Sequence, residues 1–263
     1  MFDDDTDKDW EKFGSTEPYF SVLTCDRFKK ANFTSDNRQE FFRSGSQYVD
    51  QLLDTVHRHI NPSFVPSKIL DFGCGVGRVS MPLARKGQYV VGVDISESML
   101  KEAKRNCELH EISNVEFVKA DDELSNVRGH FSLIHSFIVL QHIPVQRGQR
   151  IFERILQLLE PGGIGVIHFT YAKAYSSGAT GLVDVIKRRV PFTRHLISLL
   201  RGRPLFVPQM QMNTYNMNIV LHRLQKSGVK DLHVEVYGPW GRARGNSIFH
   251  ETIADNTVRL VYP

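Results

Sequence analysis

The chain has 263 residues, 41% of them hydrophobic and 24% charged, which is typical of a globular protein with one large domain or one domain and a cap. No apolar run approaches the roughly 18–20 residues that a membrane-spanning helix needs. The three cysteines are odd in number and lack Cys-x-x-Cys spacing, which argues against a disulfide framework or a zinc site. The net charge of +4 does not by itself indicate a nucleic-acid partner. Because the acidic N-terminus lacks the features of a secretory signal, we expect a reducing, cytoplasmic location.

Residues 1–60 are rich in aromatic and charged side chains and predict a helical N-terminal cap. The run from Gln47 to Val56 has helical periodicity. Asn61 and Pro62 then break the pattern, so we place the end of the cap at residue 60.

Strand and helix signals alternate between residues 61 and 170. The predicted strands are Lys68–Phe72, Tyr89–Asp94, Val115–Lys119, Phe131–Ser136 and Gly163–Phe169, and the main predicted helices are Ser96–His110 and Pro144–Leu159. Ser96 is a suitable N-cap, and a proline near the first position of a helix costs little. This alternation implies βαβ units, and therefore an α/β fold with a doubly wound, mostly parallel sheet.

Residues 171–212 interrupt this rhythm with several glycines and prolines, and we interpret them as an inserted lid. Basic side chains concentrate in residues 183–206, where Asp184 is the one acid. That stretch predicts either a solvated face or a weak contact with an anionic surface. Residues 213–263 return to ordered signals and are expected to complete the core sheet.

The most informative motif is a glycine-rich turn between the first two predicted strands. Gly73, Gly75 and Gly77 follow the first strand, and Asp94 closes the second. Glycines let the backbone turn sharply and let a ligand approach closely, and an acid at the end of the second strand can accept both hydroxyls of a ribose. Together they predict a pocket for a nucleoside-containing cofactor at the carboxyl ends of a parallel sheet.

Five segments resemble, in order and spacing, the motifs of the class I S-adenosylmethionine (SAM)-dependent methyltransferases. They are Leu70–Gly77, Val91–Leu100, Val115–Asp122, Val139–Ile143 and Leu159–Gly163. The resemblance implies a Rossmann-like sheet of seven strands with a final antiparallel strand, SAM as methyl donor and S-adenosylhomocysteine (SAH) as product. A nicotinamide dehydrogenase would instead have G-x-G-x-x-G spacing.

The resemblance also implies roles for individual residues at the cofactor pocket. The backbone of the three glycines would approach the methionine part of SAM, with Asp71 orienting the loop or reaching the ammonium. Asp94 would bind the ribose hydroxyls, and Asp121 would accept from the adenine amine. The other residues expected there are Ile95 and Met99 against the adenine, the backbone of Asp122, and Ser136 and Phe137 at the sulfonium end.

Methyl transfer to a hydroxyl also requires removal of a proton, and histidine is the natural base near neutral pH. Three histidines fall at or just beyond predicted strand ends, His135, His142 and His168. Each is a candidate base, and each could instead be a hydrogen-bonded structural histidine.

The cap and the insertion flank the core motifs and predict a cover for the acceptor. Tyr19 or Phe20 would lie near the sulfonium, because an aromatic face favours a cation, and Tyr171 begins the insertion. The alternative is that the aromatic residues of the cap form only its own small core.

We expect a small-molecule acceptor methylated on a hydroxyl, with no metal and no nucleic-acid partner. The segment after the fourth strand, His135–Ile138, lacks the motifs of adenine N-methyltransferases, divalent-metal catechol-type enzymes and RNA cytosine C5 enzymes. Two alternatives stay open: an RNA or protein methyltransferase that uses the basic insertion, and a SAM-binding protein without activity. The sequence also leaves the oligomeric state open.

Overall fold

The computed structural model describes residues 6–172, 210–237 and 256–263. Its strands are β1 (Lys68–Phe72), β2 (Tyr89–Asp94), β3 (Val115–Lys119), β4 (Phe131–Ser136), β5 (Leu159–Ala172), β6 (His233–Tyr237) and β7 (Asn256–Tyr262). They form one sheet in the order β3-β2-β1-β4-β5-β7-β6. Strands β1 to β5 are parallel, and β7 is antiparallel to both β5 and β6. The expected seven-stranded, mostly parallel sheet is therefore confirmed.

The α-helices of the described residues follow the predicted pattern. They are α1 (Thr6–Thr16), α2 (Pro18–Val22), α3 (Ser35–His59), α4 (Ser80–Ala84), α5 (Glu97–Leu109), α6 (Val145–Leu158) and α7 (Met217–Lys226). Short 3₁₀ turns lie at Asp26–Phe28, Lys30–Asn32 and Leu140–His142. The hydroxyl of Ser96 accepts from the N–H of Met99 at 3.2 Å, so Ser96 is the N-cap of α5.

Apolar layers cover both faces of the sheet. On one face, Phe152 of α6 packs edge-to-face on Phe169 of β5, with the ring centroids 5.1 Å apart. On the other face, α3 buries Val49 and Leu52 against residues of β1 and β5. Burial on both faces explains why these strands read as nearly continuous apolar runs.

Strand β5 is longer than the predicted segment Gly163–Phe169, because it begins at Leu159 and ends at Ala172. Pro161 and Gly162, which lie between the predicted helix and the predicted strand, belong to β5. Gly162 adopts a φ of 78°, and the pairing of β5 with β4 shifts register between Phe131 and Leu133. The irregularity accommodates the Pro-Gly pair without ending the strand.

The predicted insertion at 171–212 lies mostly outside the described residues, as does the whole basic stretch 183–206. Tyr171, at its start, belongs to β5 and is 37% exposed. Within the described ranges, no helix combines the length and the apolar character needed to cross a bilayer.

Candidate active site

A cavity lies at the carboxyl ends of the central strands. It contains about 1130 Å³ of empty volume, which includes open solvent at its mouth. Asp71 of β1, Asp94 of β2 and Phe137 after β4 line it, together with Asp7 and Trp10 of α1. Strand β1 pairs with β2 on one side and with β4 on the other, so the chain changes direction across the sheet at this point. Ligands of open α/β sheets bind at such switch points.

Most residues predicted for the cofactor line this cavity. They are Asp71, Gly73, Gly75, Asp94, Ile95, Met99, Asp121 and Phe137. Gly77, Asp122 and Ser136 are not among the described lining residues. Ser136 is 1% exposed, and within the described part of the chain its hydroxyl has no hydrogen-bond partner.

The glycine loop passes close to the segment that follows β4. Gly73 has a φ of 76° and Gly75 a φ of 53°, in the left-handed region that favours glycine. A Cβ atom at Gly73 would lie 2.2 Å from Cγ2 of Val139. The loop can therefore follow this path beside the cavity only because Gly73 has no side chain.

Backbone N–H groups hold the carboxylate of Asp94. Gly75 N donates to Oδ2 and Ser96 N donates to Oδ1, both at 2.9 Å. Each oxygen keeps a lone pair that can accept a hydroxyl. Burial raises the pKa of Asp94 to about 6, despite the opposing effect of these hydrogen bonds.

The carboxylate of Asp71 is held by side chains instead. Ser80 Oγ donates to Oδ2 at 2.6 Å, and Oδ1 lies 2.8 Å from Nδ1 of His135. The other ring nitrogen of His135 lies 2.9 Å from the hydroxyl oxygen of Tyr48. Both nitrogens of His135 thus have partners, and the ring supports Asp71 although it also lines the cavity.

His142 has a different arrangement. Its Nδ1 lies 2.7 Å from the carbonyl oxygen of Gln211, which can only accept, so Nδ1 carries the proton. Nε2 keeps its lone pair and lies 3.3 Å from the amide nitrogen of Gln141, whose oxygen accepts from Thr170 at 2.6 Å. The Trp10 ring lies 4.9 Å away between centroids. Burial lowers the pKa of His142 to about 4, so this cavity-lining ring is neutral near pH 7.

His168 is 2% exposed and is not among the described lining residues. Neither of its ring nitrogens has a hydrogen-bond partner in the part of the chain that the structure describes. Its ring packs against Phe137, with 4.8 Å between centroids. Burial, and next the charge of Arg259, lower the pKa of His168 to about 3. Of the three candidate bases, His135 and His142 line the cavity, and the Nε2 atom of each faces a donor. The donor is the Tyr48 hydroxyl at 2.9 Å for His135 and the Gln141 amide at 3.3 Å for His142, so the lone pair of His142 is the more weakly held.

The predicted aromatic cover lies elsewhere. Tyr19 is 6% exposed, and its hydroxyl lies 2.6 Å from Oε1 of Glu102 and 2.7 Å from Nη1 of Arg38. Burial, and next the hydrogen bond to Glu102, raise the pKa of Tyr19 to about 12. Phe20 lies under the ammonium of Lys29, 5.2 Å from the ring centroid. Neither aromatic residue is among the described lining residues, and Tyr19 belongs to an apolar cluster that joins the cap to the glycine loop and α5.

Helix α1 covers one side of the cavity through contacts that the sequence analysis missed. Arg147 of α6 donates Nη1 to Oδ1 of Asp7 at 2.6 Å and Nη2 to Oδ2 at 3.0 Å. Arg147 Nε also donates to Asp122 at 2.5 Å, in the segment that follows β3. Asp122 therefore belongs to the ion pairs that hold this cover.

The same helix also contacts the start of α5, next to Asp94. Glu11 accepts from Ser96 Oγ at 2.8 Å and from Ser98 Oγ at 2.5 Å. A Cβ atom at Gly14 would lie 2.3 Å from Ser96 Oγ. The signal was present in the sequence, because Asp7, Glu11 and Gly14 recur at helical spacing and share one face of α1.

Ile138 lies beside the cavity in a strained conformation. Its φ is 57°, in a region where a β-branched residue is an outlier. Such strain costs on the order of 1–3 kcal/mol and concentrates at functional sites. No sequence pattern signals it, since the left-handed region usually holds glycine.

These features match the parts of SAM. Carboxylates at two strand ends suit the ribose hydroxyls and the ammonium, and Met99, which lines the cavity, has a soft thioether suited to an adenine face. Asp121 also lines the cavity, where its carboxylate accepts from the N–H of Ser125 at 2.8 Å. That hydrogen bond, the first of several causes, lowers the pKa of Asp121.

Comparisons with known proteins point to the same cofactor. A profile of the family described as "Methyltransferase domain" matches residues 69–163. The ubiquinone biosynthesis O-methyltransferase of Coxiella burnetii is 32% identical over 118 residues, which is 44% of this chain and 45% of that protein. The 23S rRNA (uracil(1939)-C(5))-methyltransferase of Hahella chejuensis is 51% identical over 53 residues, 20% of this chain and 12% of that protein. The chain thus spans less than half the length of either relative.

Among solved structures, the chain is similar to magnesium protoporphyrin IX methyltransferase from Synechocystis PCC 6803 with bound SAH. The TM-score is 0.59 at 20% identity, over 98% of this chain and 99% of that chain. The same enzyme with bound SAM gives a TM-score of 0.56. At this identity the likeness establishes a common fold. Residues 69–163 thus match a methyltransferase domain, and the chain has the fold of solved methyltransferases that bind SAM or SAH.

Proposed function

We propose that the chain transfers the methyl group of SAM to a hydroxyl of a small molecule. The observation that carries the proposal is the state of His142, which lines the cavity with its proton fixed on Nδ1. Its Nε2 lone pair faces the amide nitrogen of Gln141 at the long distance of 3.3 Å, so this contact is weak enough for an acceptor hydroxyl to replace it. Bound SAM supplies an electrophilic methyl group. His142 would accept the proton that the acceptor hydroxyl loses.

The low pKa of His142 limits the kinds of hydroxyl that it can deprotonate. A ring with a pKa of about 4 is always in its basic form near pH 7, but it is a weak base. It can assist an acidic hydroxyl, such as a phenol with a pKa near ~10, better than an aliphatic alcohol. The O-methyltransferase relative supports this choice, because its name places it in the biosynthesis of a quinone.

The rest of the lining suits an apolar, flat acceptor. Trp10, Phe137 and Ile143 line the same cavity as His142, and the Trp10 ring lies 4.9 Å from the His142 ring between centroids. Such side chains exclude water and align the acceptor, which is most of what an in-line methyl transfer asks of a protein. We therefore propose a phenol or a similar aromatic hydroxyl as the acceptor.

The test is turnover of a panel of phenols and alcohols by wild type, His142→Gln and the matched control His130→Gln. His130 is exposed and lies before β4, outside the described lining. We expect His142→Gln to lose about 100-fold or more in kcat, since general bases contribute 10²–10⁴-fold. SAH affinity would stay unchanged in both variants. Equal turnover by His142→Gln and wild type would refute the assignment of His142 as the general base.

Adding RNA to the panel addresses the two alternatives. The rRNA methyltransferase match raises RNA as a second acceptor class, and RNA C5 chemistry needs a reactive thiol. Burial raises the pKa of Cys74 well above its usual value and that of Cys107 to about 11, which disfavours both as nucleophiles. Tight SAH binding without turnover of any small molecule or RNA would favour a binding protein.

A further inference from the structure

We propose that His135 and Tyr48 are positioning residues for the amino-acid end of the cofactor. They hold the carboxylate of Asp71 in the orientation that receives the ammonium of SAM. The proposal rests on the methyl-donor part of the proposed function and is independent of the acceptor.

Asp71 is built into the wall of the cavity. It is 2% exposed, and it lies directly beside His135 in the pairing of β1 with β4. One carboxylate oxygen accepts from Ser80 and the other from His135, at 2.6 and 2.8 Å. A carboxylate offers about four acceptor positions, so two remain for a ligand. The two bonds fix the plane of the group and therefore the direction of the remaining lone pairs.

Asp71 and Tyr48 together fix the tautomer of His135. Because the Asp71 carboxylate can only accept, Nδ1 of His135 carries a proton. In the neutral ring, Nε2 then accepts the hydroxyl proton of Tyr48 across 2.9 Å. Tyr48 comes from α3 and is 3% exposed, so it joins the N-terminal cap to the floor of the cofactor cavity.

The location argues for a role beyond packing. Asp71 and His135 both line the cavity, whereas most of the buried polar groups in the described sheet do not. Asp71 also lies two residues before Gly73, where a Cβ atom would overlap the side chain of Val139 in the segment after β4. A cation bound beside this loop would meet a carboxylate that is already oriented, at little cost in reorganisation.

The experiment compares the binding of SAH and of 5′-methylthioadenosine by calorimetry, without acceptor. The second ligand keeps the adenosine and the sulfur but lacks the amino-acid end. For His135→Leu we expect SAH affinity to fall by about tenfold or more, the loss expected for a hydrogen bond to a charged group. The affinity for 5′-methylthioadenosine would change by less than about threefold, which is under 0.7 kcal/mol.

Further variants separate positioning from general damage. In His135→Asn the amide nitrogen can replace Nδ1, so much of the SAH affinity would return. Tyr48→Phe removes only the hydroxyl and would lower SAH affinity selectively, by a smaller factor. The matched control is Ser132→Ala, which removes partly buried hydrogen bonds with Ser67 N and Lys68 O at the other end of β4 and would leave the ratio of the two affinities unchanged.

An equal loss of affinity for both ligands, or an unchanged SAH affinity, would overturn the proposal. If His135→Leu fails to fold, as judged by thermal unfolding, Tyr48→Phe decides by the same ratio. These binding results do not depend on the proposed acceptor class, because both ligands bind without acceptor and without turnover.

Discussion

Arg147 of α6 and Asp7 of α1 form a two-point ion pair beside the cofactor cavity, with N–O distances of 2.6 and 3.0 Å. Both residues line the cavity, and the same guanidinium also binds Asp122. A fork of this kind holds two planar groups in one geometry. Helix α1 is therefore fastened at its beginning to α6 and at Glu11 to the start of α5.

We predict that weakening the ion pair between α1 and α6 speeds the release of SAH. Arg147→Lys keeps the charge but loses the fork, and Asp7→Asn loses the charge. Because the Asp7 side chain is 40% exposed, solvent screens the pair, and we expect SAH affinity to fall by only about 3- to 10-fold, mostly through faster dissociation. Stopped-flow dissociation rates measure this. Arg58→Gln, which breaks an exposed pair with Asp54, is the control. Wild-type rates in both cavity variants would mean that α1 does not retain the ligand.

SAH binding is expected to weaken on acidification because of Asp94. Its pKa in the free protein is about 6, and the ribose hydroxyls need the ionised carboxylate as acceptor. Above this pH the carboxylate is present and affinity is level. Below it the protonated fraction grows, and affinity falls by up to about tenfold per pH unit. Calorimetry across this range should also detect proton release on binding near pH 6. Asp94→Asn would bind weakly with no such pH dependence. If wild type showed no dependence, another group would bind the ribose.

The pH profile of turnover tests the state of His142. Its pKa of about 4 means that the ring is in its basic form at higher pH and becomes protonated only below that value. At saturating SAM, kcat for a phenol is therefore expected to be level between about pH 5.5 and 8. The contrary result would be a fall in kcat below about pH 6.5, the ordinary pKa of histidine, that His142→Gln removes. It would show that the ring is more hydrated than the structure indicates.

Two glycine substitutions separate backbone strain from steric overlap. Gly162 and Gly73 both have a positive φ, at 78° and 76°, but only a Cβ at Gly73 meets a neighbour. Gly162→Ala is expected to cost about 1–2 kcal/mol for the left-handed conformation alone. Gly73→Ala adds overlap with Val139 and is expected to cost about 2–5 kcal/mol and to weaken SAH binding. Denaturant unfolding of both variants measures the difference. Equal costs would mean that Val139 moves aside freely.

Local signals made the central sheet and the cofactor loop predictable from sequence. The central parallel strands contain apolar runs between turn residues, and the segment from Asp71 to Gly77 carries its chemistry within one turn. The carboxyl ends of parallel strands meet at one edge of the sheet, so Asp94 could be assigned to the same pocket before its position was known.

The supports of the site were not predictable in the same way. Arg147 and Asp7 are 140 positions apart, and Tyr48 and His135 are 87 apart. Each residue is ordinary in its local sequence, and only the fold brings the partners together. Tyr19 illustrates the converse, because its aromatic ring suggested a contact with the sulfonium whereas the cation over it is the guanidinium of Arg38, and its hydroxyl hydrogen-bonds to Glu102 of α5.

Thermal unfolding of wild type and Asp94→Ala with and without SAH tests the cofactor site most directly. At 100 times its Kd, SAH is expected to stabilise wild type by about 2.7 kcal/mol. For a chain of this size each kcal/mol raises Tm by about 2–4 °C. We expect this shift in wild type and its loss in Asp94→Ala. A wild-type Tm that SAH does not change, or an equal shift in Asp94→Ala, would contradict the assignment of this cavity to SAM.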